Sequence, residues 1–126
     1  MNERRKQARK STSDYFLVYD WETEELIGRV MNLTTEGTML MSETPIEVPV
    51  TFHCKMVMPA MIGTRRFITF DIESIWCTQN RLCEWYETGY RFVNVAQEDL
   101  EIIEEIISDW DIKSDNGYIK VSPSNR

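Results

Sequence analysis

The stretch Val50-Thr-Phe-His-Cys-Lys-Met-Val-Met58 alternates between two kinds of side chain, residue by residue. Every second position is apolar and falls on one face: Val50, Phe52, Cys54, Met56 and Met58. The intervening positions place His53 and Lys55 on the opposite face. A period of two is typical of a strand with one face in the core and the other in solvent. The stretch therefore predicts a β-strand and a fold built on a sheet.

Other segments rich in apolar, aromatic and β-branched residues also predict strands. They are Asp14–Asp20, Leu26–Met31, Gly37–Met41, Phe67–Cys77 and Trp85–Val95. In Phe67–Cys77 the same period puts Ile68, Phe70, Ile72 and Trp76 on one face. The segment Pro59–Arg66 is predicted as a connection. Six strands with short connections and no helix between them predict an antiparallel barrel, because closure removes exposed strand edges. The fold class is mainly β.

The period changes after Val95. From Gln97 to Trp110 apolar residues recur at spacings of three and four, which predicts an amphipathic helix. We expect this helix to pack against the barrel through Leu100, Ile103 and Ile107. Its carboxylates at Glu98, Asp99 and Glu101 alternate with the apolar stripe. That pattern favours a solvated face over an acid–base pair or a metal site, so no metal ligand is predicted.

The length of 126 residues corresponds to one domain, and the chain has a charged fraction of 28% and a net charge of −7. No apolar run reaches the length of a membrane span, and the three cysteines suggest neither a disulfide framework nor a zinc site. A cytoplasmic protein is expected. We divide it into a basic arm (residues 1–13), a barrel with its helix (14–112) and a polar tail (113–126).

The stretch Met31–Met41 carries short polar residues between two apolar flanks. Asn32 and Thr34 can bond to neighbouring backbone or to a ligand, and Gly37 tolerates positive φ. Six residues from Asn32 to Gly37 exceed a two-residue hairpin and predict a wider, shaped loop. Such a loop is suited to binding; the alternative is an ordinary turn.

The arm is the second candidate for binding. Residues 1–10 hold five basic groups and one acidic group, and the rest of the chain has a net charge of −11. Arg5 and Arg9 lie four apart, so they can share a helical face or straddle a small anion. An acidic body repels DNA and RNA, whereas a short basic arm suits a small, doubly charged ligand. A solvated tail that aids solubility is the alternative.

Together the two clusters resemble the PilZ domain family, whose members bind the bacterial second messenger cyclic di-GMP. Arg5-Lys6-Gln7-Ala8-Arg9 is similar to the family's Arg-x-x-x-Arg motif. The segment Asn32–Gly37 is similar to its (Asp/Asn)-x-Ser-x-x-Gly motif, with Thr34 in place of Ser. Gly89-Tyr90-Arg91-Phe92 also resembles the family's closing barrel strand. The resemblance covers roughly residues 3 to 110.

The resemblance implies a ligand site made of Arg4, Arg5, Arg9, Asn32, Thr34 and Gly37. In the family, the residue at the position of Arg4 influences whether one ligand or a stacked pair binds. Ligand binding is expected to order the arm and alter the surface seen by a downstream protein, in control of motility, biofilm or related processes. No cofactor other than the ligand is implied.

Neither a catalytic base beside a nucleophile nor a glycine-rich phosphate loop is evident, so the chain is predicted not to be an enzyme. His53, the one histidine, falls on the opposite strand face from Cys54. Two alternatives stay open. One is a PilZ-like interaction module that does not bind the nucleotide, and the other is a small nucleic-acid-binding barrel.

Overall fold

The structure, a computed structural model, describes the backbone of residues 10–11 and 16–111 and the side chains of residues 16–110. Its strands are β1 (Lys10–Ser11), β2 (Leu17–Asp20), β3 (Leu26–Leu33), β4 (Gly37–Ser42), β5 (Thr51–Ile62), β6 (Arg65–Gln79), β7 (Tyr86–Asn94) and β8 (Trp110–Asp111). The helix α1 spans Gln97–Asp109. Residues 1–9, 12–15 and 112–126, which include most of the predicted arm and all of the predicted tail, lie outside the described residues.

Strands β2 to β7 form a closed barrel in the order β2-β3-β4-β7-β6-β5. Every neighbouring pair is antiparallel, and the pairing of β2 with β5 closes the ring. Closure gives every barrel strand two hydrogen-bonded neighbours. The backbone N–H and C=O groups of the strands are therefore paired without a helix or loop that covers a sheet edge. The predicted six-stranded antiparallel barrel with a C-terminal helix is confirmed.

Alternation along β5 and β6 fills the barrel interior. Cys54, Met56 and Met58 from β5 are fully buried, while His53 and Lys55 lie on the outer face as predicted. The predicted connection over Pro59–Arg66 is wrong, because β5 continues to Ile62 and β6 begins at Arg65. The pairing shifts register between Val57 and Ile62, and this irregularity accommodates a proline that cannot donate to the ladder.

A second register shift moves Trp76 away from the face predicted for it. Ser74 pairs with Tyr90, but Trp76 pairs with Gly89, so Ile75 is an extra residue in β6. Tyr90 belongs to the interior cluster. Its neighbour Gly89 therefore faces outward, and Trp76 faces outward with it. The prediction that Trp76 shares a face with Ile72 is wrong because of this bulge.

Helix α1 packs on the barrel through Ile103 and Ile106, both fully buried. The predicted contacts of Ile103 and Ile107 are confirmed, because Ile107, although only partly buried, packs against the core cluster. The prediction omits Ile106, and Leu100 lies at the margin of the face, only partly buried. The face rotates toward Asp99, which is buried and forms an ion pair with Arg65 of β6. Asp99 is thus not part of a solvated face. Its carboxylate helps attach the first turn of the helix to the barrel.

The helix ends in a small second sheet. Trp110 and Asp111 pair in parallel with Lys10 and Ser11. The indole of Trp110 meets Phe16 edge to face, with 4.8 Å between ring centroids. Within the described residues no helix is both long and apolar enough to cross a membrane.

Candidate functional site

The predicted ligand loop is a tight hairpin turn. Strand β3 continues through Asn32 to Leu33, and β4 begins at Gly37, which leaves three residues between the strands. Leu33 pairs with Thr38, and the Thr34 amide donates to the Gly37 carbonyl at 2.9 Å. The expected wide loop from Asn32 to Gly37 is therefore wrong, because both ends of the motif belong to the β-ladder.

The hydroxyl of Thr34 organises this turn. Its Oγ1 accepts hydrogen bonds from the amides of Glu36 at 3.0 Å and of Gly37 at 3.2 Å. A short hydroxyl side chain that caps the backbone in this way is common in turns, and serine can do the same. Thr34 therefore has a structural role that is independent of any ligand.

Gly37 is required because β4 and β7 approach each other closely at this position, and not because its backbone has an unusual φ. A Cβ atom at this position would lie 2.2 Å from the Tyr90 carbonyl oxygen. Among the described residues, the glycine with positive φ is Gly63, so Gly37 does not use the positive φ that glycine tolerates. The turn also docks on β7, since the Phe92 amide donates to the Glu36 carbonyl at 2.9 Å.

Asn32 is the most unusual residue of the motif. Leu33 packs in the barrel interior, so Asn32 next to it faces outward, and yet it is fully buried. Neither Nδ2 nor Oδ1 of its side chain meets a hydrogen-bonding partner within the described part of the chain. Most buried polar groups in proteins are paired, and an unpaired one has an energetic cost. The site therefore holds a primary amide with unused donors and acceptors.

A row of outward-facing residues crosses four strands at the level of Asn32. Asn32 pairs with Met39, Met39 with Gly89, and Gly89 with Trp76. A Cβ on Gly89 would lie 2.5 Å from two atoms of the Trp76 indole, so the ring lies directly over this glycine. We call these four residues the outer row. The row puts an aromatic ring and an unpartnered amide on the same face of the barrel.

Sequence reasoning did not select Trp76 or Met39 for the site. The pattern of β6 assigned Trp76 to the interior, and only the bulge at Ile75 reverses this. A glycine on the neighbouring strand was the one available signal, because a ring on a sheet face needs a small neighbour to lie flat against the backbone. That signal requires the strand register, which the sequence pattern alone does not provide.

The arginines of the site divide into two groups. Arg4, Arg5 and Arg9 lie outside the described residues. Arg91, in the stretch similar to the PilZ closing strand, pairs with Gly37 across the sheet. Its guanidinium forms an ion pair with Glu73 at 2.7 Å. Its charge is therefore countered locally, and any strong positive field at the turn has to come from elsewhere in the chain.

Other chemistry-bearing groups lie away from the outer row. His53 Nδ1 contacts Asp71 Oδ1 at 2.5 Å on the outer face of β5 and β6. Burial raises the pKa of the Cys54 thiol to about 12, which keeps it protonated at neutral pH. Among the described residues no cluster of three or more His, Cys, Asp or Glu side chains is placed to hold a metal ion.

A cavity of about 450 Å³ opens near the other end of the β3–β4 hairpin. Its walls are mostly apolar and include Leu26, Met41 and Trp85. Asn32, Thr34 and Gly37, the three predicted site residues within the described part of the chain, do not line it. The cavity and the Asn32–Gly37 turn are therefore separate features of the hairpin.

Comparison with known proteins adds no identification. The chain matches no protein-family model and no curated protein. Any functional assignment therefore depends on the residues and their geometry.

Proposed function

We propose that the chain is a PilZ-like receptor for cyclic di-GMP and not an enzyme. In this proposal the arm supplies Arg5 and Arg9, strand β3 supplies Asn32, and the β3–β4 turn supplies Thr34. Gly37 keeps the turn close to β7. Arg4 would influence whether one nucleotide or a stacked pair is held.

The observation that carries the proposal is the buried, unpartnered amide of Asn32. A primary amide has two donors and an acceptor, and a guanine edge offers complementary groups. Because Asn32 is fully buried, guanine can reach its amide only if neighbouring groups move. Binding would then change the surface around the outer row, which is the kind of change that a downstream protein can detect.

The ligand chemistry also suits the arm. A guanidinium fork can donate two hydrogen bonds to O6 and N7 of guanine, and it can pair with a phosphate in the same planar geometry. Arginine planes can also stack on guanine rings. Trp76 adds an indole ring in the same row as Asn32. The ring is buried, so a base could stack on it only if neighbouring groups move.

Calorimetric titration with cyclic di-GMP tests the proposal. Arg5→Ala and Arg9→Ala should each weaken binding by about 1–3 kcal/mol, or about tenfold to a hundredfold, the usual worth of a hydrogen bond to a charged group. Lys6→Ala is the matched control, because it removes one charge from the same segment at a variable position of the Arg-x-x-x-Arg motif. It should have a smaller effect.

Three outcomes would count against this proposal in different ways. Unchanged binding in both arginine variants would place the ligand elsewhere on the protein. Equal losses for Arg5→Ala, Arg9→Ala and Lys6→Ala, with a steep dependence on salt, would favour a nucleic-acid binder. No binding by the unmodified protein would favour an interaction module that does not take the nucleotide.

A further inference from the structure

A second outer surface of the barrel carries exposed aromatic rings. Trp21 follows β2 and is 43% exposed, and Phe67 of β6 is 40% exposed. Lys55 and His53 of β5 lie beside them, and Asp71 of β6 contacts His53. We call these five residues the aromatic patch. Large exposed rings that cluster in this way are typical of sites of protein interaction.

The rings are held in a fixed arrangement around a cation. The centroids of Trp21 and Phe67 are 6.2 Å apart. Lys55 Nζ lies 5.5 Å from the Trp21 ring and 5.3 Å from the Phe67 ring, within the range of cation–π attraction. Side chains that are already ordered lose little conformational entropy when a partner binds. The patch is therefore prepared for contact before any partner arrives.

The backbone beneath Trp21 is also well supported. The Trp21 amide donates to the His53 carbonyl at 2.8 Å, which fixes the start of the turn to β5. Asp20 Oδ1 accepts hydrogen bonds from the amides of Glu22 at 2.9 Å and of Thr23 at 3.1 Å. The turn that presents Trp21 is thus held by hydrogen bonds on both sides.

The rim of the aromatic patch is acidic on the side of the turn that follows Trp21. Glu22, Glu24 and Glu25 follow Trp21 in the turn, and all three are exposed. The one lysine of the patch is already engaged with two rings. A partner that approaches from this side meets a field of negative charge around an aromatic centre.

We propose that the aromatic patch is a docking site for a basic segment of a partner protein. An apolar or aromatic side chain of that segment contacts Trp21 and Phe67. Its lysine or arginine side chains lie against Glu22, Glu24 and Glu25. An aromatic centre with a charged rim is the usual composition of a protein interface, and tryptophan is the residue most enriched at energetic hot spots.

Charge argues against the other occupants. In a two-fold dimer centred on the patch, the three glutamates of one copy would face the same glutamates of the second copy. A nucleic acid would be repelled by the same rim. The patch lies on β2, β5 and β6, whereas the β3–β4 turn with Asn32 is part of another face. Docking here does not depend on the proposed nucleotide site.

Selection of a displayed library of random linear twelve-residue peptides on the full-length protein tests the proposal. Enriched peptides should carry a net positive charge and at least one large apolar residue. A synthetic peptide chosen from them should bind Trp21→Ala and Phe67→Ala about tenfold more weakly than the unmodified protein. The triple variant Glu22→Gln, Glu24→Gln, Glu25→Gln should also bind more weakly, and binding to the unmodified protein should decrease with salt.

Leu82→Ala is the matched control, because Leu82 is 96% exposed but lies far from the patch in the β6–β7 connection. It should leave peptide binding unchanged. Because the replaced side chains are exposed, the substitutions should not disrupt the core. The circular dichroism spectrum of each variant should therefore match that of the unmodified protein. Enrichment of acidic or neutral peptides, no enrichment, or equal binding to Trp21→Ala would overturn the proposal. Self-association in sedimentation that Trp21→Ala abolishes would assign the patch to a second copy, and this too would overturn it.

Discussion

Replacing Asn32 with leucine separates the stability of the barrel from ligand binding. Leucine has the same number and branching of side-chain heavy atoms as asparagine but no polar atoms. In the ligand-free protein the Asn32 amide is fully buried and has no partner within the described residues. Each unsatisfied buried polar group costs about 1–3 kcal/mol. Asn32→Leu should therefore raise the free energy of unfolding by about 1–3 kcal/mol in total, because the two atoms of one group do not add independently.

The assay is thermal unfolding with and without cyclic di-GMP. For a domain of this size a gain of 1 kcal/mol raises the melting temperature by about 4 °C. We expect Asn32→Leu to melt at a higher temperature than the unmodified protein without ligand, and to gain much less stability when the nucleotide is added. The unmodified protein should show the larger ligand-induced shift.

Thr38→Val is the matched control for this experiment. The buried Thr38 hydroxyl donates to the main-chain carbonyl of Asn32 at 2.8 Å. It is therefore a hydrogen-bonded polar group next to the Asn32 side-chain amide, which has no partner within the described residues. Removing it should lower stability by about 1 kcal/mol. If Asn32→Leu destabilises the ligand-free protein as Thr38→Val does, the amide is paired in solution and the reasoning is refuted.

Substitutions at three further positions, Gly37, Thr34 and Cys54, test the turn and the core. Gly37→Ala should lower stability by about 3 kcal/mol, because the added Cβ would lie 2.2 Å from the Tyr90 carbonyl oxygen and β4 would have to shift; chemical denaturation measures the loss, and an unchanged midpoint contradicts it. Thr34→Val should cost about 1 kcal/mol by removing the hydroxyl that accepts two turn amides, whereas Thr34→Ser should keep both the turn and nucleotide binding. Burial raises the Cys54 pKa from 9.0 to about 12, so between these pH values the unfolded chain loses this proton before the folded protein does. Stability should fall there by up to about 1.4 kcal/mol per pH unit, and Cys54→Ala, but not Cys83→Ala at an exposed site, should reduce that slope.

The sequence predicts the barrel well because the period-two pattern reports directly on burial. The alternation in Val50–Met58 correctly gives the buried face at Cys54 and the exposed face at His53. The antiparallel barrel then follows from strand number and short connections. These features depend on side-chain polarity, which every residue of a strand displays.

Features that depend on register were not predictable. Trp76 was assigned to the interior because nothing in the sequence marks the extra residue at Ile75. Asn32 was assigned to a loop because a polar residue near a glycine suggests a turn, although its backbone continues the β3 ladder. Asp99 was assigned to solvent because a carboxylate normally is exposed, and its partner Arg65 lies on another element. Each error concerns a contact with another segment, which the pattern within a single segment does not report.

The short sheet of β1 and β8 fixes the origin of the arm. Since Lys10 pairs with Trp110, the chain that carries Arg5 and Arg9 starts at the end of the helix. Lys10 follows Arg5 by five positions, so the Cα atoms of these two residues can be at most about 18 Å apart. A tether this short gives the arginines an effective concentration on the order of millimolar or higher around that point. In the proposed complex, closing the arm on a nucleotide already at the barrel would be an intramolecular step, and its strength would depend on tether length. Residues inserted between Arg9 and Lys10 should weaken binding without changing any contact.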